Sequence, residues 1–184
     1  PGQEVDDGDF AAIMLELQAR GCSNINLVTP SHVVPQILAA LLRAVEGGLR
    51  IPLVYNSSGY DSAHTLALLA GAADISLPAL KFWLPATAGR YADAPDYPDI
   101  ARQAIRSMHR QVGDLEAGAD GLARRGLLVR HLLMPGQGEE MAAILGFLAT
   151  EISPSTYVNI MAQYHPCGQA ERFPELCRGV SGAE

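Results

Sequence analysis

The sequence lacks several features that would place it at once in a functional class. Its net charge of −7 disfavours a nucleic-acid or anionic-membrane surface, and only one of its 13 basic residues is a lysine. No apolar run reaches the roughly 20 residues of a membrane helix, and the first residues do not read as a signal peptide. We therefore expect a cytoplasmic protein that binds neither membranes nor nucleic acids.

Cysteine and histidine are too few and too scattered to indicate a metal site built by this chain. The three cysteines, Cys22, Cys167 and Cys177, form no CxxC pair, which is typical of reduced thiols rather than of a disulfide framework or a zinc site. The five histidines show no HxH or HExxH spacing. We expect no metal ligands within these 184 residues.

What the sequence does contain is the pattern of an α/β domain. Five short apolar stretches alternate with amphipathic helical patterns, which predicts a parallel sheet within a single domain over 1–184, with an irregular tail at 169–184. Most stretches run into polar or glycine-rich clusters, and ligands bind at the carboxyl ends of parallel strands. The apolar stretches are residues 25–28, 51–55, 74–83, 127–134 and 158–164.

The periodicity also predicts the elements between and around these stretches. The proline-rich segment 85–98 is predicted to be a long ordered loop, and 114–125 a small hairpin. Ser31 is expected to cap a helix whose inner face includes Val45. Because the chain opens on a helix, and a helix in a regular alternation follows a strand, we also expect a missing β-unit before it. Helices are predicted at 9–20, from Ser31 to about 46, at 61–70, 98–112 and 139–149, and strands at 24–29, 51–55, 74–82, 127–133 and 157–164.

Two predicted strands carry basic residues that suit an anionic ligand. Lys81 shares a strand face with apolar residues, so it is expected to bind a carboxylate or to form a Schiff base, unless it is a lysine reaching solvent from the strand end. Arg130 and His131 are adjacent in a strand and must point to opposite faces, and Arg130 suits a carboxylate. An ion pair with a neighbouring element is the alternative for Arg130.

The remaining candidates lie at the ends of the second, first and last strands. The cluster of Asn56 and Ser58 offers amides and short polar groups for a carboxylate, ribose or phosphate, although many α/β loops look similar. Thr29 and Ser31 form a comparable cluster that also fits a plain helix cap. In the last strand, alternation places His165 on a mostly polar face with Asn159, Met161 and Gln163, as in the mouth of a barrel or on a wet edge strand.

Taken together, these segments resemble radical S-adenosylmethionine (SAM) proteins of the pyruvate formate-lyase activating enzyme type. The resemblance covers most of the chain, from about residue 21 to residue 168. Its most specific pieces are GCSNINLVTPSH at 21–32, YNSSGY at 55–60, DISLPALK at 74–81, GLLVRHLLMPG at 126–136 and MAQYHPCG at 161–168.

The resemblance implies a partial (β/α) barrel that holds SAM and a 4Fe–4S cluster at the carboxyl ends of its strands. The complete enzyme would cleave SAM to a 5′-deoxyadenosyl radical that abstracts hydrogen, for example from a glycyl-radical-type partner enzyme. Thr29 and Ser31 would receive the SAM amino group, and Asn56 and Ser58 would lie beside the cofactor. Lys81 and Arg130 would contact anionic groups, and His165 would line the adenosine side.

The sequence departs from the family pattern in two places. The CxxxCxxC motif that holds the cluster is absent and would be expected upstream of Pro1, and Ala79 stands where the family has aspartate. Without three thiolates no cluster binds in the family manner, so this chain alone is not expected to be active. The alternatives are a Schiff-base lyase that uses Lys81 and a non-catalytic module that binds a nucleotide or a protein.

Overall fold

Six strands form one mostly parallel sheet, which confirms the predicted α/β class. A computed structural model describes residues 4–184 of the chain. The strands are β1 (Ile25–Val28), β2 (Leu53–Ser57), β3 (Ile75–Pro78), β4 (Glu116–Ala117), β5 (Ala123–Leu132) and β6 (Tyr157–Met161). Strands β1, β2, β3, β5 and β6 are parallel and adjacent in that order, and the short β4 pairs antiparallel with the start of β5. The β4–β5 pair is the predicted small hairpin.

Helices connect the strands and flank the sheet. They are α1 (Asp7–Ala19), α2 (Val34–Glu46), α3 (Ala63–Leu68), α4 (Pro85–Ala92), α5 (Tyr97–Val112) and α6 (Gly138–Phe147). A 3₁₀ turn (Ser31–Val33) leads into α2, and a π-helical turn (Leu148–Ile152) extends α6. Within residues 4–184, none of the helices combines the length and the apolar character needed to cross a membrane.

The packing of α1 against α2 shows why some predicted inner positions are wrong. Met14 of α1 is fully buried, and Ala40 and Ala44 of α2 are buried with it in one apolar cluster. Small alanines allow the two helices to approach closely, so the inner stripe of α2 is set by Ala40 and Ala44. Val45, which was predicted to face inward, is 50% exposed.

Segment 85–98 was predicted to be a loop and is instead largely helical. Pro85 occupies the first turn of α4, where its missing amide costs little, and Asp93 ends the helix in a left-handed conformation with φ 52°. The buried carboxylate of Glu140 accepts hydrogen bonds from the amide of Leu84 at 3.0 Å and the hydroxyl of Thr87 at 2.5 Å. The start of α4 is therefore stabilised by a residue that lies far away in sequence.

Strands β3 and β6 are shorter than predicted, and this moves two candidate residues out of the sheet. β3 ends at Pro78, which has no amide to continue a ladder, and only an isolated bridge from Ala79 to Arg130 follows. β6 ends at Met161, whose partner Leu132 is the last residue of β5. Apolar periodicity continued beyond the hydrogen-bonded pairs in both cases.

The tail contains two short 3₁₀ turns, Ala170–Arg172 and Pro174–Leu176, which agrees with the predicted irregular structure. Leu176 is its one buried hydrophobic residue among the described positions after 168.

Candidate functional site

The centre of the candidate site is a hydrogen bond between side chains from two strands that are not neighbours. Arg130 of β5 donates from Nη2 to Oδ1 of Asn56 of β2 at 2.6 Å, which places the guanidinium across the end of the intervening β3. Asn56 is 7% exposed. The Nε of Arg130 is also buried and has no hydrogen-bond partner among the described residues. The guanidinium therefore has one buried donor for which residues 4–184 supply no acceptor.

Arg130 opens onto a cavity of about 290 Å³ at the carboxyl ends of β3, β5 and β6. We name it the Lys81–Arg130 cavity, because those two side chains are its charged lining. None of its lining residues is acidic, so the cavity favours an anionic group that can accept hydrogen bonds. Its other lining residues are Ala79, Phe82, Leu132, Met134 and Met161.

The sequence predicted that Lys81 lies in a strand. In the structure it reaches this cavity from a loop. It lies three residues beyond the end of β3 and is exposed. Its amide donates to the hydroxyl of Tyr97 at 3.0 Å instead of to a neighbouring strand. The prediction that Lys81 shares a strand face with apolar residues is therefore wrong, because β3 ends at Pro78.

His131 faces away from the cavity, as alternation along β5 predicts. It is 2% exposed, and its Nδ1 lies 2.7 Å from the carbonyl oxygen of Leu80. Its Nε2 is buried and has no hydrogen-bond partner in the part of the chain that the structure describes. Since the carbonyl can only accept, Nδ1 carries the proton and donates to it.

The loop after β2 is held by a buried carboxylate that sequence reasoning did not assign to the site. Asp61 accepts hydrogen bonds from the hydroxyl of Tyr55 at 2.7 Å and the hydroxyl of Ser57 at 2.6 Å. Burial, reinforced by the hydrogen bond to Asp61, raises the pKa of Tyr55 well above its usual range. Asp61 was predicted to begin a helix, but α3 begins at Ala63 and is capped by Ser62. The carboxylate instead fixes the end of β2.

Tyr97 of α5 ties this loop to the end of β3, and it too was not predicted as a site residue. Its hydroxyl lies 2.9 Å from the carbonyl oxygens of both Ser58 and Ala79. Burial raises the pKa of Tyr97 above its usual range, so the hydroxyl stays protonated and can donate. The hydroxyl of Ser58 accepts from the amide of Tyr60 at 3.3 Å, so Ser58 shapes the loop with both its polar groups.

Gly59 is required where this loop approaches β3. It has φ 80°, and a Cβ built at this position would lie 2.3 Å from the carbonyl oxygen of Ala79. A side chain would push the two strand ends apart, and the left-handed conformation would strain it further. The glycine of the polar cluster thus allows close contact between the strand ends.

The loop after β1 lies beside Asn56 but is much less tightly held. The amide of Thr29 donates to the carbonyl oxygen of Asn56 at 2.8 Å, and Thr29 adopts φ 54°, which is unusual for a β-branched residue. Thr29 and Ser31 are both exposed. The predicted cap by Ser31 is wrong: the 3₁₀ turn moves the start of α2 to Val34, and Val33 takes the cap position without a side-chain hydrogen bond.

His165 is not placed with the other candidates. It lies four residues beyond the end of β6, is exposed and does not line the Lys81–Arg130 cavity. The face on which it was predicted exists only as far as Met161, and that residue does reach the cavity. Asn159 and Tyr157 are exposed on β6, which is an edge strand paired only with β5 among the described strands. The wet-edge alternative therefore describes β6.

A second, larger cavity of about 750 Å³ lies between α4 and the tail. We name it the α4–tail cavity. It shares Phe82 and Met134 with the Lys81–Arg130 cavity, so the two adjoin each other. Its charged lining residues are Arg90, Asp93 and Arg172.

No arrangement of side chains within residues 4–184 suits a metal ion. No group of three or more histidine, cysteine, aspartate or glutamate residues in this part of the chain is placed to hold one. Cys22, Cys167 and Cys177 are free thiols. The described residues therefore do not fit an iron–sulfur cluster.

Comparison with known proteins identifies a relative of unknown function. The chain is 27% identical over 162 residues to an uncharacterized protein of Methanocaldococcus jannaschii. The alignment covers 88% of this chain and 43% of the relative, so the chain spans less than half of that protein's length. No protein-family model matches the chain. The similarity by itself assigns no function.

Proposed function

We propose that this chain is the greater part of a radical SAM domain and that it binds SAM at the carboxyl ends of its parallel strands. The observation that carries the proposal is the guanidinium of Arg130, which Asn56 holds over a cavity with no acidic lining residue and which has a buried, unpartnered Nε. A carboxylate is the natural acceptor for such a donor. The sequence resemblance supplies the identity of the ligand.

The order of the strands supports the proposed barrel-like architecture. Neighbouring parallel strands follow one another in chain order, apart from the small β4, as they do in a (β/α) barrel. In such folds the ligand lies over the carboxyl ends of the strands, where Asn56, Arg130 and the Lys81–Arg130 cavity are located.

The residues of the Lys81–Arg130 cavity fit the methionine part of SAM. Arg130 and Lys81 would hold the carboxylate, and the apolar side chains of Leu132, Met134 and Met161 would exclude water from the aliphatic chain. Asn56 would act by orienting Arg130, because its carbonyl oxygen is already engaged by the guanidinium.

The contacts of the other candidates rest on the resemblance alone. The amino group of SAM would be received at the loop of Thr29 and Ser31, which is exposed and adjoins Asn56. Ser58 would shape the β2 loop beside the cofactor, and His165 would line the adenosine side. Of these, His165 has the least support, since it lies outside the cavity.

The described residues hold no set of thiolates that could bind the iron–sulfur cluster. Residues 4–184 alone therefore do not carry out the cleavage of SAM in this proposal. Their own contribution is to bind SAM, to orient it and to keep water away. A glycyl-radical-type enzyme as protein substrate, and hydrogen abstraction by the complete enzyme, remain proposals about the whole protein.

Equilibrium dialysis of SAM against the purified chain tests the proposal. Replacing Arg130 with Gln should weaken binding by roughly 10- to 100-fold, the effect of one to two charge-assisted hydrogen bonds. Arg124→Gln is the matched control, because Arg124 pairs with Asp120 on the exposed hairpin. Decarboxylated SAM should bind the native chain and the Arg130→Gln variant equally weakly.

Two outcomes would overturn the proposal. If the native chain does not bind SAM, or if Arg130→Gln and Arg124→Gln bind it equally well, the cavity is not the carboxylate site. Binding of other nucleotides in place of SAM would favour the nucleotide-binding module.

The Schiff-base alternative is less favoured by the structure. A lysine that forms a Schiff base is usually desolvated or placed beside another cation, and Lys81 is exposed although it shares a cavity with Arg130. Borohydride reduction with pyruvate or another carbonyl compound, followed by mass spectrometry, would detect an adduct at Lys81. Such an adduct would support a lyase.

A further inference from the structure

The tail between Cys167 and Cys177 is folded back on itself so that both cysteines contact the same residue. The amide of Ala170 donates to the carbonyl oxygen of Cys167 at 3.1 Å. The carbonyl oxygen of Ala170 in turn lies 3.5 Å from Sγ of Cys177, which can donate to it. Ala170 therefore connects the two ends of this loop.

A second contact brings the same two ends together. The hydroxyl of Tyr164, three residues before Cys167, donates to the carbonyl oxygen of Leu176, the residue before Cys177. Burial raises the pKa of Tyr164, and the nearby sulfurs of Cys167 and Cys177 raise it further when they carry negative charge. The hydrogen bond therefore holds the segment before Cys167 against the residue that precedes Cys177.

Both thiols are accessible to small reagents. Cys167 and Cys177 are exposed and unpaired, whereas Cys22 follows α1 and is only partly exposed. Thiol–disulfide exchange needs an attacking thiolate and room for the approach of the reagent. Only the pair in the tail offers two such thiols in one loop.

This loop forms one wall of the α4–tail cavity. The opposite wall belongs to α4 and includes Arg90 and Tyr91. The loop contributes Cys167, Gln169, Ala170, Arg172, Phe173 and Leu176.

The loop rests on α4 through contacts that are partly exposed. Glu175 accepts a hydrogen bond from the hydroxyl of Tyr91 at 2.7 Å and pairs with Arg90 at 2.5 Å. The ring of Phe173 packs edge-on against Tyr91 with 5.0 Å between the centroids. Exposed ion pairs contribute little, so among the described residues buried Leu176 and the packing of Phe173 on Tyr91 are the main non-covalent anchors of this wall.

We propose that Cys167 and Cys177 form a reversible disulfide that fixes this wall of the α4–tail cavity, and that the structure shows the reduced form. The oxidant is a small-molecule disulfide such as oxidised glutathione. One cysteine thiolate attacks it and releases one glutathione thiolate, giving a mixed disulfide. The second cysteine thiolate attacks the protein sulfur and releases the other glutathione, so two thiols are oxidised and one glutathione disulfide is reduced to two thiols. The proposal does not depend on SAM binding.

A trypsin digest tests the bond directly. Trypsin cleaves after Arg172, so Cys167 and Cys177 fall into separate peptides, 131–172 and 173–178, that only a disulfide can join. The native chain is equilibrated with mixtures of reduced and oxidised glutathione, quenched with acid, alkylated and analysed by mass spectrometry. We expect the linked pair of peptides to be the main oxidised species and to disappear in Cys167→Ser and in Cys177→Ser.

Cys22→Ser is the matched control, and it should leave the linked peptides unchanged. Stable glutathione adducts on both tail cysteines without a linked pair would overturn the proposal. So would a linked peptide that contains Cys22.

Hydrogen exchange separates a constrained wall from a bond without structural effect. Oxidation should slow exchange of the amides at 170–177 by about tenfold, because the closed loop restricts local opening. Exchange in β2 should not change. Equal exchange rates of the tail in the oxidised and reduced chains would contradict the proposed effect on the cavity.

Discussion

The ends of β1 and β2 lie side by side, yet the protein holds them in very different ways. At the end of β2, Asn56 and Ser57 are buried, and Asp61 and Arg130 satisfy their side chains. At the end of β1, Thr29 is exposed and strained, and one backbone hydrogen bond to Asn56 connects it to its neighbour. The end of β2 is therefore organised before any ligand binds.

This difference indicates which half of the site the described residues complete by themselves. A preorganised group loses little entropy when its ligand arrives, so the side of Arg130 and Asn56 is suited to fix a ligand's orientation. The positive φ of Thr29 is an observed backbone outlier at an exposed strand end, and strain retained at such a place suggests a functional constraint. The β1 loop is therefore the side expected to change most on binding.

The largest expected effect comes from breaking the buried network at the end of β2. Asp61→Ala removes the acceptor of two buried hydroxyl groups, those of Tyr55 and Ser57. We expect a loss of about 3 kcal/mol in the free energy of unfolding, because each unsatisfied buried donor costs on the order of 1–3 kcal/mol. Urea unfolding measures it. Asp120→Ala, on the exposed hairpin, should change stability by less than about 0.5 kcal/mol, and equal losses in the two variants would refute the role of Asp61.

Replacing Tyr97 should cause a smaller loss of stability in the same region, and this loss should depend on pH. Tyr97→Phe leaves the amide of Lys81 and the carbonyl oxygens of Ser58 and Ala79 without their shared partner, at a cost of about 1–2 kcal/mol near pH 7. The pKa of Tyr97 is raised in the folded protein by burial. The stability that the raised pKa of Tyr97 contributes is therefore fully present below about pH 10, the usual pKa of an unfolded tyrosine. It is lost as the pH rises toward the pKa of Tyr97 in the folded protein.

Unfolding measured between pH 8 and pH 11 separates ionisation from packing. Tyr97→Phe should make the alkaline loss of stability less steep, because one raised tyrosine pKa has been removed; Tyr55 still contributes. Phe82→Leu is the matched control, since Phe82 packs edge-on against Tyr97 and has no ionisable group. It should lower stability by the same amount at every pH. An unchanged slope in Tyr97→Phe would show that Tyr97 ionises equally in both states.

The sequence predicted the parts of this site that depend on local pattern. Asn56 was identified because it follows an apolar stretch at a strand end. Arg130 was identified because alternation along its strand places it and His131 on opposite faces. Asp61 and Tyr97 were not identified, because their roles depend on which elements pack against the β2 loop, and no local pattern reports that. The helix α4 was missed for the same reason: the carboxylate that stabilises its start is Glu140.

Errors in the predicted strand ends had a different cause. Hydrophobic alternation reports burial, whereas a strand ends where its hydrogen-bonding partner ends. Lys81 was assigned to a strand because apolar residues continue around it, but Pro78 interrupts that ladder. His165 was placed on a strand face by extending the alternation past Met161, but Leu132 is the last partner of that strand. Lys81 still lines the cavity, while His165 does not.

The smallest expected effect tests the strained end of β1. Thr29→Gly should stabilise the protein by about 1 kcal/mol, because glycine adopts a positive φ without the steric cost that a β-branched residue carries. Thr29→Ala is the matched control, since alanine keeps a Cβ and most of the strain while it removes the hydroxyl. Thermal unfolding of both variants separates the two contributions. If Thr29→Gly is no more stable than Thr29→Ala, the backbone at this position stores no strain, and the contrast between the two strand ends reduces to exposure alone.

If the strain serves binding, the more stable Thr29→Gly variant should also bind SAM more weakly than the native chain, because the β1 loop gains conformational freedom that the ligand must then restrict.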